Sequence, residues 1–358
     1  MTVHGVETLL TESYPYPELV GDQLCNLHVR PCVMIPFSEA AFPDLMDAFR
    51  AEGSSPHCHE GTESASEEND RLLAHVDDVE AFFAGKLWTE VLDPALSGFS
   101  TELVAAPYRD TTFESAIHAD FSPRWKIEAY LFTTEEPPAE LEAIREAKEK
   151  ALRSLRDGRY PTERTAEHRL AEIRAKSELF GYPDCCTEQF LEEREDRFDV
   201  LLEIGAERIE ELQAECESRS QLQSAFESEL EAQGLPLQDL NVESRIVQQL
   251  EYVNIGRYFE DWSEDELSEF YQQKSRDPLP EFFYAFFTAD FYPHHPRCEA
   301  AIEVGRRIES TLRESDPALV PLYRATLMTN VFSCLGFDDR QVHRRLLSDT
   351  IATHDDKP

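Results

Sequence analysis

Cysteine and histidine gather in two short segments of this chain. The first is Phe180-Gly181-Tyr182-Pro183-Asp184-Cys185-Cys186-Thr187, where a glycine and a proline end one helix and Asp184 is placed to cap the next. Capping there puts both thiols in a first turn. Backbone N–H groups and the helix dipole favour negative charge at that end, so one of the two is expected to ionise more readily than a buried thiol. The second segment, Phe291-Tyr292-Pro293-His294-His295-Pro296-Arg297-Cys298-Glu299, follows the same plan. After an aromatic approach, Pro296 suits the first helical position and Cys298 falls in the opening turn. If the two helix starts face each other, Cys185, Cys186, His294, His295 and Cys298 offer five donors to a site that needs three or four nitrogen and sulfur ligands. The metal expected is zinc, with iron the second choice, and Asp184 would stand behind the ligands. Four protein ligands would make a structural site, and an open position would make a catalytic one.

The same residues admit other readings. Cys185 and Cys186 lack the C-x₂-C spacing of a zinc signature. They are also suited to a thiol redox protein, which would lose two hydrogens on oxidation and bind no metal tightly. Plain packing of the cysteines beside a satisfied histidine pair is the third possibility. His57-Cys58-His59-Glu60 would project two imidazoles to one side in an extended chain, but its setting is a polar loop. Cys25, Cys32, Cys216 and Cys334 sit in apolar or helical surroundings and read as packing residues. The aromatic run Phe282, Phe283, Tyr284, Phe286, Phe287, Phe291 and Tyr292 reads as core rather than as the wall of a pocket. The chain has no G-x-G-x-x-G, G-x-x-x-x-G-K-[ST], G-x-S-x-G or H-E-x-x-H, so the common nucleotide, hydrolase and zincin readings lose support. No reaction or substrate is legible.

The elements that must position these segments suggest an α+β protein: a mixed α/β region followed by a mainly helical domain. Residues 1–137 carry β-rich runs at Leu27 to Phe37 and Lys126 to Thr133, and helical patterns at Glu39 to Arg50 and Asp70 to Phe83. Between those helices, 51–70 is polar and reads as a loop. Pro137-Pro138 forms a stiff break, and 138–345 reads as a helical domain that carries the cluster, with 346–358 a disordered tail. Helices are expected on either side of Gly158, up to Gly181, and at Thr187 to Leu202, Ala206 to Leu230, Glu243 to Tyr258, Pro296 to Arg313 and Leu319 to Leu335.

Among the 358 residues, 72 acidic and 34 basic give a formal net charge of −38, and only seven of the basic residues are lysines. A surface this acidic repels itself in dilute buffer, whereas in molar salt the Debye length falls to about 3 Å and the carboxylates stay hydrated. The balance suits a salt-rich cytoplasm; the alternative is an ordinary acidic protein that binds cations or basic partners. The first ten residues lack a basic head and an apolar run, and no stretch approaches the roughly 20 apolar residues of a bilayer span. Eight cysteines spread over a long chain read as thiols or ligands in a reducing compartment. One island, Arg145 to Lys176, holds ten basic and six acidic residues. It supports a second class of reading, a module that binds RNA or an acidic partner, although the overall field opposes nucleic acid. The partner expected is a small molecule or a protein.

The G-Y-P-D-C-C block, followed about 110 residues later by a His/Cys-Pro helix start, resembles an uncharacterised archaeal family, a domain of unknown function with a G-Y-P-x-C-C block. The likeness covers Ser177 to Arg307. That family's second block is richer in cysteine than Pro293 to Cys298. The resemblance implies a haloarchaeal-type acidic member in which the two blocks belong together, and it implies nothing about a substrate.

Overall fold

The computed structural model describes residues 25–27, 29–37, 47–49, 64–87, 100–109, 122–216, 218–232, 269, 273, 277–315, 317 and 319–334. The expected helix at 243–258, most of 39–50, the cluster at 57–60 and the tail at 346–358 lie outside these residues.

The protein is α+β, with much helix and one small antiparallel sheet. The strands β1 (Cys32–Phe37), β2 (Ser100–Arg109) and β3 (Pro123–Phe132) lie in the order β1-β3-β2. The register pairs Cys32 with Phe132 and Ser100 with the same residue. Strand periodicity then puts Cys32, Val104, Tyr130 and Phe132 on one face, where they pack with Leu141, Ile144, Leu179 and Phe180. The observed β1 is shorter than the expected run because 25–27 form a helical turn and 29–31 a turn and bends instead. Strand β2 was not anticipated from the sequence.

Helices α1 (Ala65–Leu73) and α2 (Val76–Leu87) precede β2, and the first corrects the last part, 65–70, of the expected loop at 51–70. Ser64 caps α1 through a capping box with Glu67, so 65–70 is helical despite its polarity. The Ala105 N–H of β2 donates to Glu80 of α2 at 2.9 Å.

Beyond the Pro137-Pro138 break come α3 (Glu140–Arg153) and α4 (Glu163–Phe180). Leu141, Ile144, Ala147, Lys148, Ala151 and Leu152 form one buried stripe of α3. The break changes the type of structure but does not interrupt packing, since α3 and α4 supply the cover of the sheet. Lys148 and Lys176 reach from these helices to Glu128 of β3 and Glu172 of α4, with N···O distances of 2.8 to 3.2 Å. Arg145 donates to Glu102 at 2.9 Å, Lys150 pairs with Glu146, and Arg153 pairs with Glu149 and Asp70. Much of the basic island is thus matched by carboxylates of the same chain.

Helix α5 (Asp184–Ile204) stops at Gly205, whose φ is 73°, and α6 (Ala206–Glu215) follows. The single helix expected over 206–230 is broken at Cys216, and α7 (Arg219–Ala232) starts afresh. The C-terminal part holds a 3₁₀ turn (Glu281–Phe286) and helices α8 (Glu299–Ser315) and α9 (Leu319–Cys334). Their apolar side chains form one core with Cys25, Cys186 and Cys298. Each large apolar side chain buried there contributes about 1.5–3 kcal/mol. Helix α8 crosses the 3₁₀ turn at Gly305, where a Cβ would collide with the Tyr284 backbone. Among the described residues, no helix is long and apolar enough to cross a membrane.

Candidate metal centre

Two turns set the cysteines and histidine in place. Helix α4 ends at Gly181 with φ 66°, a left-handed residue that lets Tyr182 N–H reach back to Ser177 O at 3.0 Å. Pro183 then stands at the cap position of α5, its carbonyl accepting from Cys186 N–H at 2.9 Å and Thr187 N–H at 3.0 Å. This corrects the expected role of Asp184, which is the first residue of the helix and is exposed. In the second block, Cys298 N–H donates to His295 O at 2.9 Å, closing a turn with Pro296 at its second position. The helix therefore starts at Glu299 rather than at Pro296. Cys298 occupies the cap position, its carbonyl accepting from Ile302 N–H at 2.9 Å.

Aromatic side chains hold the two blocks together. Tyr182 lies with its ring centroid 4.8 Å from Phe291 and 6.3 Å from Phe287, and Phe287 stacks on Phe291 at 4.7 Å. The Arg30 guanidinium sits 5.3 Å from the Phe180 ring, 5.0 Å from Tyr182 and 6.0 Å from Phe287. Its Nε donates to Phe180 O at 2.9 Å. Neighbouring Asn26 donates to Phe287 O at 3.1 Å, which ties both blocks to the same N-terminal turn. Burial and the Asp290 carboxylate push the Tyr182 phenol well above its usual range. Sequence reasoning missed Arg30 and Asn26, since an isolated polar residue in an apolar run carries no motif.

The result is a four-donor cluster. The thiol, thiolate or imidazole ligand atoms of Cys185, Cys186, His294 and Cys298 all lie within 4.8 Å of one another. Cys185 Sγ is 3.7 Å and Cys186 Sγ is 3.6 Å from Cys298 Sγ, while Cys186 Sγ is 3.3 Å from His294 Nδ1. A tetrahedral ion with sulfur at about 2.3 Å and nitrogen at about 2.0–2.1 Å sets edges of about 3.8 Å for S···S and about 3.6 Å for S···N. Those three of the six separations match the edges to within about 0.3 Å, and the full set of donors lies within 4.8 Å, wider than an ideal tetrahedron. They are far from the roughly 2.05 Å of a disulfide.

Of the five expected donors, His295 stands apart. It is exposed, and its Nδ1 accepts the Arg297 N–H at 3.0 Å. The turn that places Cys298 in the cluster directs the second imidazole outward. Cys186 and Cys298 are buried, at 1% and 6% exposure, whereas Cys185 is exposed and His294 half-buried.

The expectation of an easily ionised thiol is also corrected. Burial pushes the Cys186 thiol up, against the pull of the His294 backbone N–H, and the neighbouring Cys298 and Cys185 push it further. Cys185 is raised too, by burial and then by Cys298. For Cys185 and Cys186, burial first and the neighbouring thiols second outweigh what one helix terminus contributes. A cation among them reverses that balance.

Among the described residues, the remaining cysteine side chains fill space. Cys25 and Cys32 are fully buried, and burial pushes the Cys32 thiol up to about 12. Cys216 packs against the small core of α6 and α7. The side chain of Cys334 and all of 57–60 lie outside the described residues.

No family model, curated protein or solved structure matches the chain.

Proposed function

We propose that this is a metal-binding protein in which zinc, with iron the second choice, is held by Cys185, Cys186, His294 and Cys298. The observation that carries the reading is the convergence of three sulfurs and one imidazole, from blocks 113 residues apart, to within 4.8 Å of one another, close enough for one ion to draw them into a tetrahedron. Four protein donors complete a coordination shell, so the role is structural: the ion ties the start of α5 to the cap of α8 and stabilises the fold between them. Borderline-soft zinc suits a mixed thiolate and imidazole set better than calcium or magnesium, which take oxygen ligands. The setting we propose is the reducing, salt-rich interior of a haloarchaeal-type cell, where the thiols stay available and the acidic surface is screened.

Metal analysis of protein purified in molar KCl tests this reading. About one zinc or iron per chain in the wild type, and none in the Cys186→Ser/Cys298→Ser double variant, is the expected result. A wild type that neither retains metal nor takes up zinc when reduced and supplied with it would overturn the proposal.

A further inference from the structure

Resting on the metal reading, the inequality of the four donors carries a further step. Cys185 is the exposed thiol of the cluster, whereas Cys186 and Cys298 are buried. Cys185 Sγ faces Cys298 Sγ across 3.7 Å. Its nearest sequence neighbour, Cys186, is a poor disulfide partner in this geometry. Adjacent Cα atoms on a trans peptide lie about 3.8 Å apart, short of the roughly 4.4–6.8 Å that an unstrained disulfide spans. Both residues also sit in the hydrogen-bonded first turn of α5, which fixes their backbone.

We infer that the centre is a hydroperoxide-responsive switch in which Cys185 is the attacking thiolate and Cys298 the resolving one. The Cys185 sulfur attacks the distal oxygen of the hydroperoxide. An S–O bond forms, the O–O bond breaks, and the leaving oxygen takes a proton to depart as water or an alcohol. The Cys298 thiolate then attacks the sulfenic sulfur of Cys185. An S–S bond forms, the S–O bond breaks, and hydroxide leaves with a proton as water. The two thiols supply both electrons that reduce the peroxide. The disulfide removes two of four ligands, so Cys186 and His294 alone are left to hold the ion, and it is released. Oxidation thereby replaces the ion's tie between the start of α5 and the cap of α8 with a covalent one and frees Cys186 and His294.

The test treats zinc-loaded protein in molar KCl with hydrogen peroxide. Released zinc is followed with a chromogenic chelator, and the disulfide is located by peptide mass mapping. The wild type is expected to release its zinc as a Cys185–Cys298 linkage accumulates. Cys185→Ser should release it at least about tenfold more slowly, because the remaining thiols are shielded. Cys186→Ser should still form the Cys185–Cys298 bond. A Cys186–Cys298 or Cys185–Cys186 linkage in the wild type, or equal release from wild type and Cys185→Ser, would overturn the inference. A chain that takes up no zinc refutes the metal reading by itself. The peptide map of that same chain after peroxide still decides which thiols pair, so the two failures are told apart.

Discussion

His294 and His295 share one chemistry and are separated by one peptide bond, yet their surroundings differ. His294 Nδ1 lies 3.3 Å from Cys186 Sγ, and His295 Nδ1 is taken by the Arg297 N–H. His294→Ala should therefore weaken zinc binding by more than the roughly 10- to 100-fold seen when an outer-shell partner of a ligand is lost. His295→Ala should leave affinity unchanged. Competition titration against a zinc chelator measures both. Equal losses in the two variants would place both imidazoles at the ion. The residue types were legible in the sequence, because thiols and imidazoles in two helix-start contexts are uncommon. The choice between the two histidines was not. It depends on the turn from His295 to Cys298, and the proline at its second position is equally at home at a helix start.

At the scale of elements, the sheet is joined to its covering helices by charge as well as by apolar contact. Glu128 is fully buried on β3, and Tyr130 donates to it at 2.7 Å. Burial alone would raise the Glu128 carboxyl, but Lys176, Lys148 and Lys126 outweigh it and hold it well below the usual carboxylate range. Glu172 behaves the same way, with Lys176, Lys148 and Arg169 overcoming burial. A carboxylate whose folded value is depressed adds stability above its unfolded value, near 4.5, and that stability is lost as pH falls toward the folded value. Unfolding free energy should accordingly fall as the pH drops below about 4.5, and Glu128→Gln should flatten that fall. The same variant should cost about 3–5 kcal/mol at neutral pH, since Lys148 and Lys176 lose a buried partner. Denaturant titrations in molar KCl across pH 3 to 7, a range set around the usual carboxylate value, measure both effects. An acid limb that is identical in wild type and variant would contradict the network's role. None of this was visible beforehand, because Lys148, Lys176 and Glu128 look like ordinary members of solvated faces until the sheet register brings them together. The capping box of α1 was visible, as Ser64-Ala65-Ser66-Glu67, but the surrounding polarity masked it.

Across the whole molecule, two features of the sequence led in different directions. The charge of −38 describes the solvent that the surface suits, and says little about the site. Three basic residues of the island, Arg145, Lys148 and Lys176, pair with carboxylates of the sheet. The paired blocks proved the better guide. Their aromatic flanks, Phe180, Tyr182, Phe287 and Phe291, pack on one another around Arg30 and so bring the four candidate donors together. The helical character of the second part was legible from apolar spacing. Strand β2 was hidden because its cover comes from elements on both sides of it in sequence, and a short apolar run does not reveal which face will be buried.

Zinc-edge X-ray absorption on the zinc-loaded wild-type protein in molar KCl tests the central claim most directly. About three sulfurs at about 2.3 Å and one nitrogen at about 2.0–2.1 Å around the ion are expected. A shell of oxygen and nitrogen without sulfur, or one with a single sulfur, would contradict it.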